Sequence, residues 1–397
     1  MKKFFTLKDM NFKNQRVLLR AGFDVPIDEK GNITDDTRIK AILPTLKYLI
    51  KQKAMIIIIS HNGRPKGEIV KKLKMDAAAK RLQELLGKKV YKLDDCIGED
   101  VEKFIDDMVP GEVVLLENLR FYKEEKDKNP KVRNGFAREL ADLADIYVNE
   151  AFSNSHRDHA SITGIPKFIP SCAGFELQKE IETIEKAMLK PKKPFVAIIG
   201  GLKADKLNTI KALKKVDKIL VGGALSFLLL NAKGINVGKT KIDKEGLKSS
   251  KIILKNKKIE LPVDAVVADK FDENAKTKTV DIKNIPKDWM ALDIGPKTVK
   301  KYKEILKKAK TVVWAGPIGV FEFPKFAKGT KEIAKTVANS KAISIIGGGD
   351  SGAAIEKFKL SKKMTHISTG GGASLMLFEG KKLPAMQALE QNYRRFK

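Results

Sequence analysis

Short runs of apolar residues that break off into glycine or polar residues, each followed by a helix-like pattern, constrain this chain more than any other feature. In the first half they read RVLLR, MIIIISHNGR, VVLLENLR and IYVNEAF. From Phe195 onward they read FVAIIGG, KILVGGA, AVVAD, TVVWAGP, ISIIGGG and HISTGGG. A run that is apolar at every position, rather than at every second one, needs cover on both faces, as strands of a parallel sheet have. The pattern therefore predicts an α/β fold with two doubly wound, Rossmann-like parallel-sheet domains. A chain of 397 residues has room for two or three domains with real cores. The joint falls in ELQKEIETIEKAMLKPKKP, Glu176 to Pro194, a charged helix running into a Pro/Lys stretch that suits a helical hinge. The domains are then residues 1–185 and 186–382. Ligands of open parallel sheets bind beyond the carboxyl ends of the strands, so each domain offers one site and the cleft between them is the expected reaction chamber.

The runs end in different chemistry in the two halves. SIIGGGDSGAAIEKF, Ser344 to Phe358, hands a strand over to a helix through three glycines. HISTGGGASL, His366 to Leu375, repeats the device, and FVAIIGGLKADK, Phe195 to Lys206, adds lysines to it. Glycines there admit a ligand close to the backbone, and the free amides of a helix's first turn attract anions. Lys203, Lys206, Gly347 to Gly349 and Asp350 make an inventory for a nucleotide's phosphates. Asp350 is then the candidate Mg2+ ligand, often through water, or a helix N-cap, or both.

Arginine divides the chain the same way. Nine of the eleven lie at or before Arg157 and the other two are Arg394 and Arg395 at the tail. Arg20, Arg64, Arg120 and Arg157, with His61, fall at strand ends, and Arg38 opens a helix pattern after TDD. Together they read as a basic pocket for a small, multiply charged acid, because an arginine fork grips carboxylate and phosphate bidentately. Arg16, Arg81, Arg133 and Arg138 fall at a strand start or on helix-like stretches and read as structural. The formal net charge of +29 favours acidic ligands, but most of the excess is lysine on helix-like faces. No nucleic-acid module signature accompanies it, so it reads as a solvated surface. Cys96 and Cys172 have neither metal nor disulfide spacing, which fits a reducing cytoplasm. The basic N-terminus lacks an apolar stretch, and no run approaches the ~18 residues of a membrane helix.

Some patterns carry nothing. GINVGKT, Gly234 to Thr240, is one residue short of a phosphate-binding P-loop and follows no clear strand. HRD at His156 lacks the asparagine of a protein-kinase loop, since position 163 is Thr163. His156 and His159 have a metal-like spacing without a third ligand. No nucleophile with a paired base is found, and a nucleotide site opposite an arginine-lined acid site suggests direct phosphoryl transfer.

The ordered series DDTRIKAILPTLKYL, SHNGRPKG, LLENLRF, EAFSNSHRDHAS, LPVDAVVAD, ALDIGPKT, TVVWAGPIGVFEF, GGGDS and HISTGGGASL resembles the phosphoglycerate kinase family from end to end. The resemblance implies a phosphotransferase with a carboxyl acceptor (EC 2.7.2.3), which moves phosphate between 1,3-bisphosphoglycerate and Mg-ADP to give 3-phosphoglycerate and Mg-ATP. It implies in-line transfer without a covalent intermediate, after domain closure, in a monomeric cytoplasmic enzyme of glycolysis and gluconeogenesis, with no specific nucleic-acid partner. By the same resemblance the acid sits on the first domain against Arg20, Gly22, Phe23, Asp24, Arg38, His61, Asn62, Gly63, Arg64, Arg120 and Arg157. The nucleotide sits on the second against Lys203, Lys206, Ala291, Leu292, Glu322, Gly348, Gly349, Asp350, Ser351, Gly371 and Gly372. Arg38 and Lys203 are the catalytic candidates, Asp350 the metal ligand, and Mg2+ the cofactor. The segment from about 383 to 397 is expected to return to the first domain.

Three departures mark this chain. The family's RVDFNVP is here RAGFDVP, so Gly22 removes an acceptor for a substrate hydroxyl and Asp24 adds a carboxylate near an anion. WNGP is here WAGP, with Ala315, and the four-residue step between the nucleotide-loop lysines is three, from Lys203 to Lys206. Two rival readings are a nucleic-acid binder using the basic surface and a weakened relative acting as a metabolite sensor. The first would show salt-sensitive nucleic-acid binding that leaves the cleft ligands unaffected, and the second tight ligand binding without turnover.

Overall fold

Successive side chains of an extended run point to opposite faces, so a wholly apolar run feeds two cores at once. The structure, a computed structural model describing residues 3–397, shows this along the first set of runs. Val17 and Leu19 enter one core and Leu18 the other; Ile56 and Ile58 oppose Ile57 and Ile59; Val113 and Leu115 oppose Val114 and Leu116. Truncating any of these leucines or isoleucines to alanine leaves a cavity costing about 2–5 kcal/mol. The strands concerned belong to β1 (Phe5–Thr6), β2 (Arg16–Arg20), β3 (Met55–Ser60), β4 (Tyr91–Lys92), β5 (Val113–Asn118), β6 (Ile146–Asn149) and β7 (Ser171–Ala173). They form one parallel sheet in the order β1-β7-β6-β2-β3-β5-β4.

The second set builds β8 (Phe195–Ile199), β9 (Lys218–Val221) and β10 (Ile259–Glu260), then β11 (Asp264–Ala268), β12 (Thr277–Asp281) and β13 (Met290–Ile294), and finally β14 (Thr311–Ala315), β15 (Ile343–Gly347) and β16 (His366–Ile367). Six of them make a second parallel sheet in the order β10-β9-β8-β14-β15-β16. AVVAD departs from the expectation of a parallel strand: β11 is the centre of a three-stranded antiparallel sheet, β12-β11-β13. A five-residue apolar run is compatible with either sheet type. Its partner β12, TKTVD, is largely exposed and lacks the apolar content that would have announced it.

Two compact units result: Met1–Glu182 with Lys382–Lys397, and Thr183–Lys381. The helix Phe175–Leu189 carries the chain from one to the other. The helix Pro384–Phe396 belongs to the first unit, where the Asn392 amide donates to the carbonyls of Pro166 and Ile169 at 2.7 and 2.8 Å, and its oxygen accepts from the Ser171 N–H at 2.9 Å.

Candidate active site

In the first unit, the loops leaving β2, β3 and β5 are tied together by buried polar side chains. Ser60 donates its hydroxyl to the Ala21 carbonyl and accepts from the Phe23 N–H, at 2.8 and 2.9 Å. The Asn118 amide donates to the carbonyls of Asn62 (2.8 Å) and Leu73 (2.9 Å), and its oxygen accepts from the Arg120 N–H at 3.0 Å. Gly63, with φ +65°, passes close to Leu73, whose Cδ2 lies 2.7 Å from where a Cβ would stand. Its N–H donates to Asp24 Oδ1 at 2.9 Å, and its carbonyl accepts from Arg120 Nη1 at 2.7 Å.

These ties present the cations. Arg38 lies on the helix Thr37–Ala41, and its Nη1 donates to the Asp24 carbonyl at 2.5 Å while standing 3.6 Å from Asp24 Oδ2. His61 Nε2 is 3.8 Å from the same carboxylate. Asp24, Arg38, Asn62 and Gly63 line a cavity of about 520 Å3 together with Lys72 and Leu73. Arg64 and Arg157 are exposed, and their guanidiniums make no hydrogen bond or ion pair among the described residues. Burial, and secondarily the charge of Arg20, hold the Arg120 guanidinium down to about 10. Burial and then Arg20 and Arg120 hold His61 well below the usual histidine range. Gly22 is buried, 3.4 Å from Ser153 Oγ when given a Cβ, and Phe23 is fully buried. Arg16, Arg81, Arg133 and Arg138 each pair with a carboxylate.

The second unit gathers glycines where the first gathers arginines. The loops after β8 and β14 touch so closely that a Cβ on Gly200 would overlap the Pro317 carbonyl. Ser351, buried at the start of the helix Gly349–Lys357, accepts from the Gly316 N–H at 2.6 Å. Gly371, opening the helix Gly371–Phe378, abuts the loop after β15, with Gly348 Cα 2.9 Å from where its Cβ would stand. Backbone amides at two helix starts thus converge on one rim, and Gly372 is exposed there. Lys203 is exposed, whereas the Lys206 ammonium turns inward, donating to the Gly200 carbonyl at 2.6 Å. Burial lowers its pKa. Lys206 therefore braces the loop as well as charging it.

Asp350 sits in the first turn of its helix; Gly348, with φ +102°, occupies the cap position, so Asp350 is not the N-cap. Its carboxylate is exposed and accepts no hydrogen bond from a described residue. A lone carboxylate beside phosphate-receptive amides fits Mg2+ that arrives on a nucleotide, because that ion keeps waters and needs only one or two protein oxygens. No group of three or more His, Cys, Asp or Glu that could hold a metal occurs among the described residues. Ala291 and Leu292 lie on β13; the Leu292 carbonyl accepts from the Val320 N–H at 2.9 Å, which brings in the segment carrying exposed Glu322. GINVGKT follows the helix Gly223–Ala232 and bridges Gly238 to Met290, away from any strand-to-helix phosphate turn.

Sequence reasoning missed Ser60, Asn118, Glu125 and Ser161, which hold the first site together. Only LLENLR, with a polar Asn118 closing an apolar run, offered a signal.

The class of protein is set by these features: a two-unit α/β protein with arginines and a histidine at the strand ends of one parallel sheet and glycine-rich helix starts at the strand ends of the other. A sequence profile described as phosphoglycerate kinase matches residues 7–381. The chain is 50% identical over 393 residues to the chloroplastic phosphoglycerate kinase of Volvox carteri, covering 96% of this chain and 84% of that protein. It is 48% identical to the phosphoglycerate kinase of Moorella thermoacetica, covering 97% and 99%. The crystal structure of phosphoglycerate kinase from Pyrococcus horikoshii OT3 is similar with a TM-score of 0.89 at 35% identity, covering 99% of this chain and 100% of that one. The chain belongs to the phosphoglycerate kinase family. It is an enzyme, a kinase of glycolysis and gluconeogenesis. No helix among the described residues is long and apolar enough to cross a membrane.

Proposed function

We propose that the first unit binds 3-phosphoglycerate or 1,3-bisphosphoglycerate and the second binds ADP or ATP with Mg2+. The observation that carries this reading is the contrast between the two anion sites, arginine forks on one sheet and helix-start amides with lysine on the other. Arg38, His61, Arg64, Arg120 and Arg157 hold the acid. Lys203, Gly348 to Ser351, Gly371 and Gly372 hold the nucleotide phosphates, with Ala291, Leu292 and Glu322 around its base and sugar.

The acyl phosphate is an activated donor. A terminal phosphate oxygen of ADP attacks its phosphorus, the bond to the carboxyl oxygen breaks, and the carboxylate leaves with the electron pair. No protein nucleophile is required, so the side chains align, exclude water and supply positive charge. Mg2+ held by Asp350 would neutralise phosphate charge when bound. Arg38 of the first unit and Lys203 of the second are assigned the positive charge that the transfer needs, and domain closure is assigned the exclusion of water. The working form is a monomer in a reducing cytoplasm, in keeping with Cys96 and Cys172, both buried free thiols whose pKa burial pushes up. A coupled assay with 3-phosphoglycerate and Mg-ATP tests the reading directly. Turnover is expected; tight binding of both ligands without turnover would replace it with the metabolite-sensor reading.

A further inference from the structure

Arg20 carries a different environment from the other arginines near the acid site. Its side chain has no exposed surface, and each of its nitrogens is engaged within the first unit. Nε donates to Ser161 Oγ at 2.9 Å, Nη1 donates to the Ala21 carbonyl, and Nη2 lies 3.0 Å from His61 Nδ1. Glu125, equally buried, stands 4.0 Å from Nη2. Its Oε2 accepts from the Ser161 N–H at 2.9 Å and its Oε1 from the Ser161 hydroxyl at 2.7 Å. The Ser161 hydroxyl proton is thereby committed to Glu125, which leaves its lone pair for Arg20 Nε. The directions around this ring are mutually consistent.

A guanidinium has donors only and stays charged. The contact at 3.0 Å therefore runs from Arg20 Nη2–H to His61 Nδ1, which must carry a lone pair. We propose that Arg20 is a positioning residue for the reaction: held by Glu125 and Ser161, it fixes His61 as the Nε2–H tautomer, a hydrogen-bond donor on the side of Asp24 and the acid cavity. The charged and titratable groups around the ring are Arg20, Arg120, Arg38 and His159, with the Asp24 carboxylate 3.8 Å from Nε2. Three permanently charged guanidiniums in a buried setting work against an imidazolium. The opposite tautomer would set two donors against each other and turn a lone pair toward an anion. This inference rests on the acid site proposed above, and it makes His61 a fixed donor whose contribution does not change with pH near neutrality.

Nitrogen-15 NMR of the native, ligand-free enzyme labelled at histidine tests it, with His61→Asn to assign the signal. The expected spectrum at neutral pH shows a neutral ring with Nδ1 unprotonated and Nε2 protonated. An Nδ1–H tautomer or an imidazolium overturns the inference even if the enzyme turns over 3-phosphoglycerate. An enzyme without that turnover but with the expected tautomer overturns the proposed function instead. Arg20→Lys and Ser161→Ala supply the kinetic arm. Loss of one orienting hydrogen bond should raise the KM for 3-phosphoglycerate by about 10-fold while kcat at saturation and the KM for Mg-ATP stay within about 2-fold. Reduced thermal stability with an unchanged KM ratio between the two substrates in Ser161→Ala would mark a purely structural role and overturn the inference.

Discussion

At the scale of single residues, the acid site proposed above makes Arg38 the candidate for stabilising the transferring phosphoryl. Its backbone is fixed by the helix Thr37–Ala41, and its side chain is partly buried, with the guanidinium held at one end by the Asp24 carbonyl. A planar, permanently charged fork can hold two phosphoryl oxygens, which a lysine cannot copy. Cationic stabilisation of this kind is worth ~10³ to 10⁵ in kcat in other phosphoryl-transfer enzymes. Arg38→Ala should therefore lose most of kcat with nucleotide Kd near native, and Arg38→Lys should recover part of it. Steady-state kinetics, with circular dichroism to confirm folding, decides the matter, and a near-native kcat for Arg38→Ala would sink the assignment. Asp24 works against the same site, since its carboxylate already takes the Gly63 N–H and faces both Arg38 and His61. On the proposed acid site its negative charge opposes an anionic ligand. Gly22 has room for a Cβ, whose nearest neighbour would be Ser153 Oγ at 3.4 Å. Gly22→Asp with Asp24→Asn should lower the KM for 3-phosphoglycerate and leave that for ATP nearly unmoved; an unchanged KM would mean the surrounding donors already compensate. The arginines themselves were legible in the sequence because their distribution is so uneven. Glu125 and Ser161 were not, because a glutamate in YKEEKDK reads as solvated, and only the fold reveals that it is buried against Arg20.

At the scale of elements, strands announced themselves through apolar runs and the sites through the residues that end them. The rule holds where both faces are covered, as in β3 and β5. It fails for β12, whose stability comes from pairing with β11 rather than from its own apolar content. The same elements dictate what Asp350 can do. Gly348 caps the helix Gly349–Lys357, so the fold gains from Asp350 only the attraction of a carboxylate for a helix N-terminus, about 0.3–1 kcal/mol. Asp350→Ala should raise the Mg2+ concentration needed for half-maximal rate while shifting thermal unfolding little. Equal Mg2+ dependence in variant and native enzyme, measured by titrating the metal at fixed ATP, would remove Asp350 from the metal's ligands.

At the scale of the whole molecule, the chain's end belongs to the unit that holds its beginning. Neither periodicity nor composition could reveal this; only the resemblance implied it, because a terminal amphipathic helix carries no address for the surface it covers. In the structure, Leu383, Ala385, Met386 and Leu389 are buried, the rings of Phe5 and Tyr393 meet at 4.7 Å, and Asn392 holds three backbone groups of the first unit. Asn392→Ala removes the partners of the Ser171 N–H and of the Pro166 and Ile169 carbonyls without touching either anion site. Leaving buried backbone groups unsatisfied costs about 1–3 kcal/mol, and for a unit of this size each kcal/mol lowers Tm by about 2–4 °C. The loss should fall on the first unit alone. Calorimetry should show a lower unfolding temperature that 3-phosphoglycerate partly restores, and titration should give a native Kd for Mg-nucleotide. If nucleotide affinity falls as far as acid affinity, the terminal helix supports the molecule as a whole, and the assignment of one ligand to each unit fails with it.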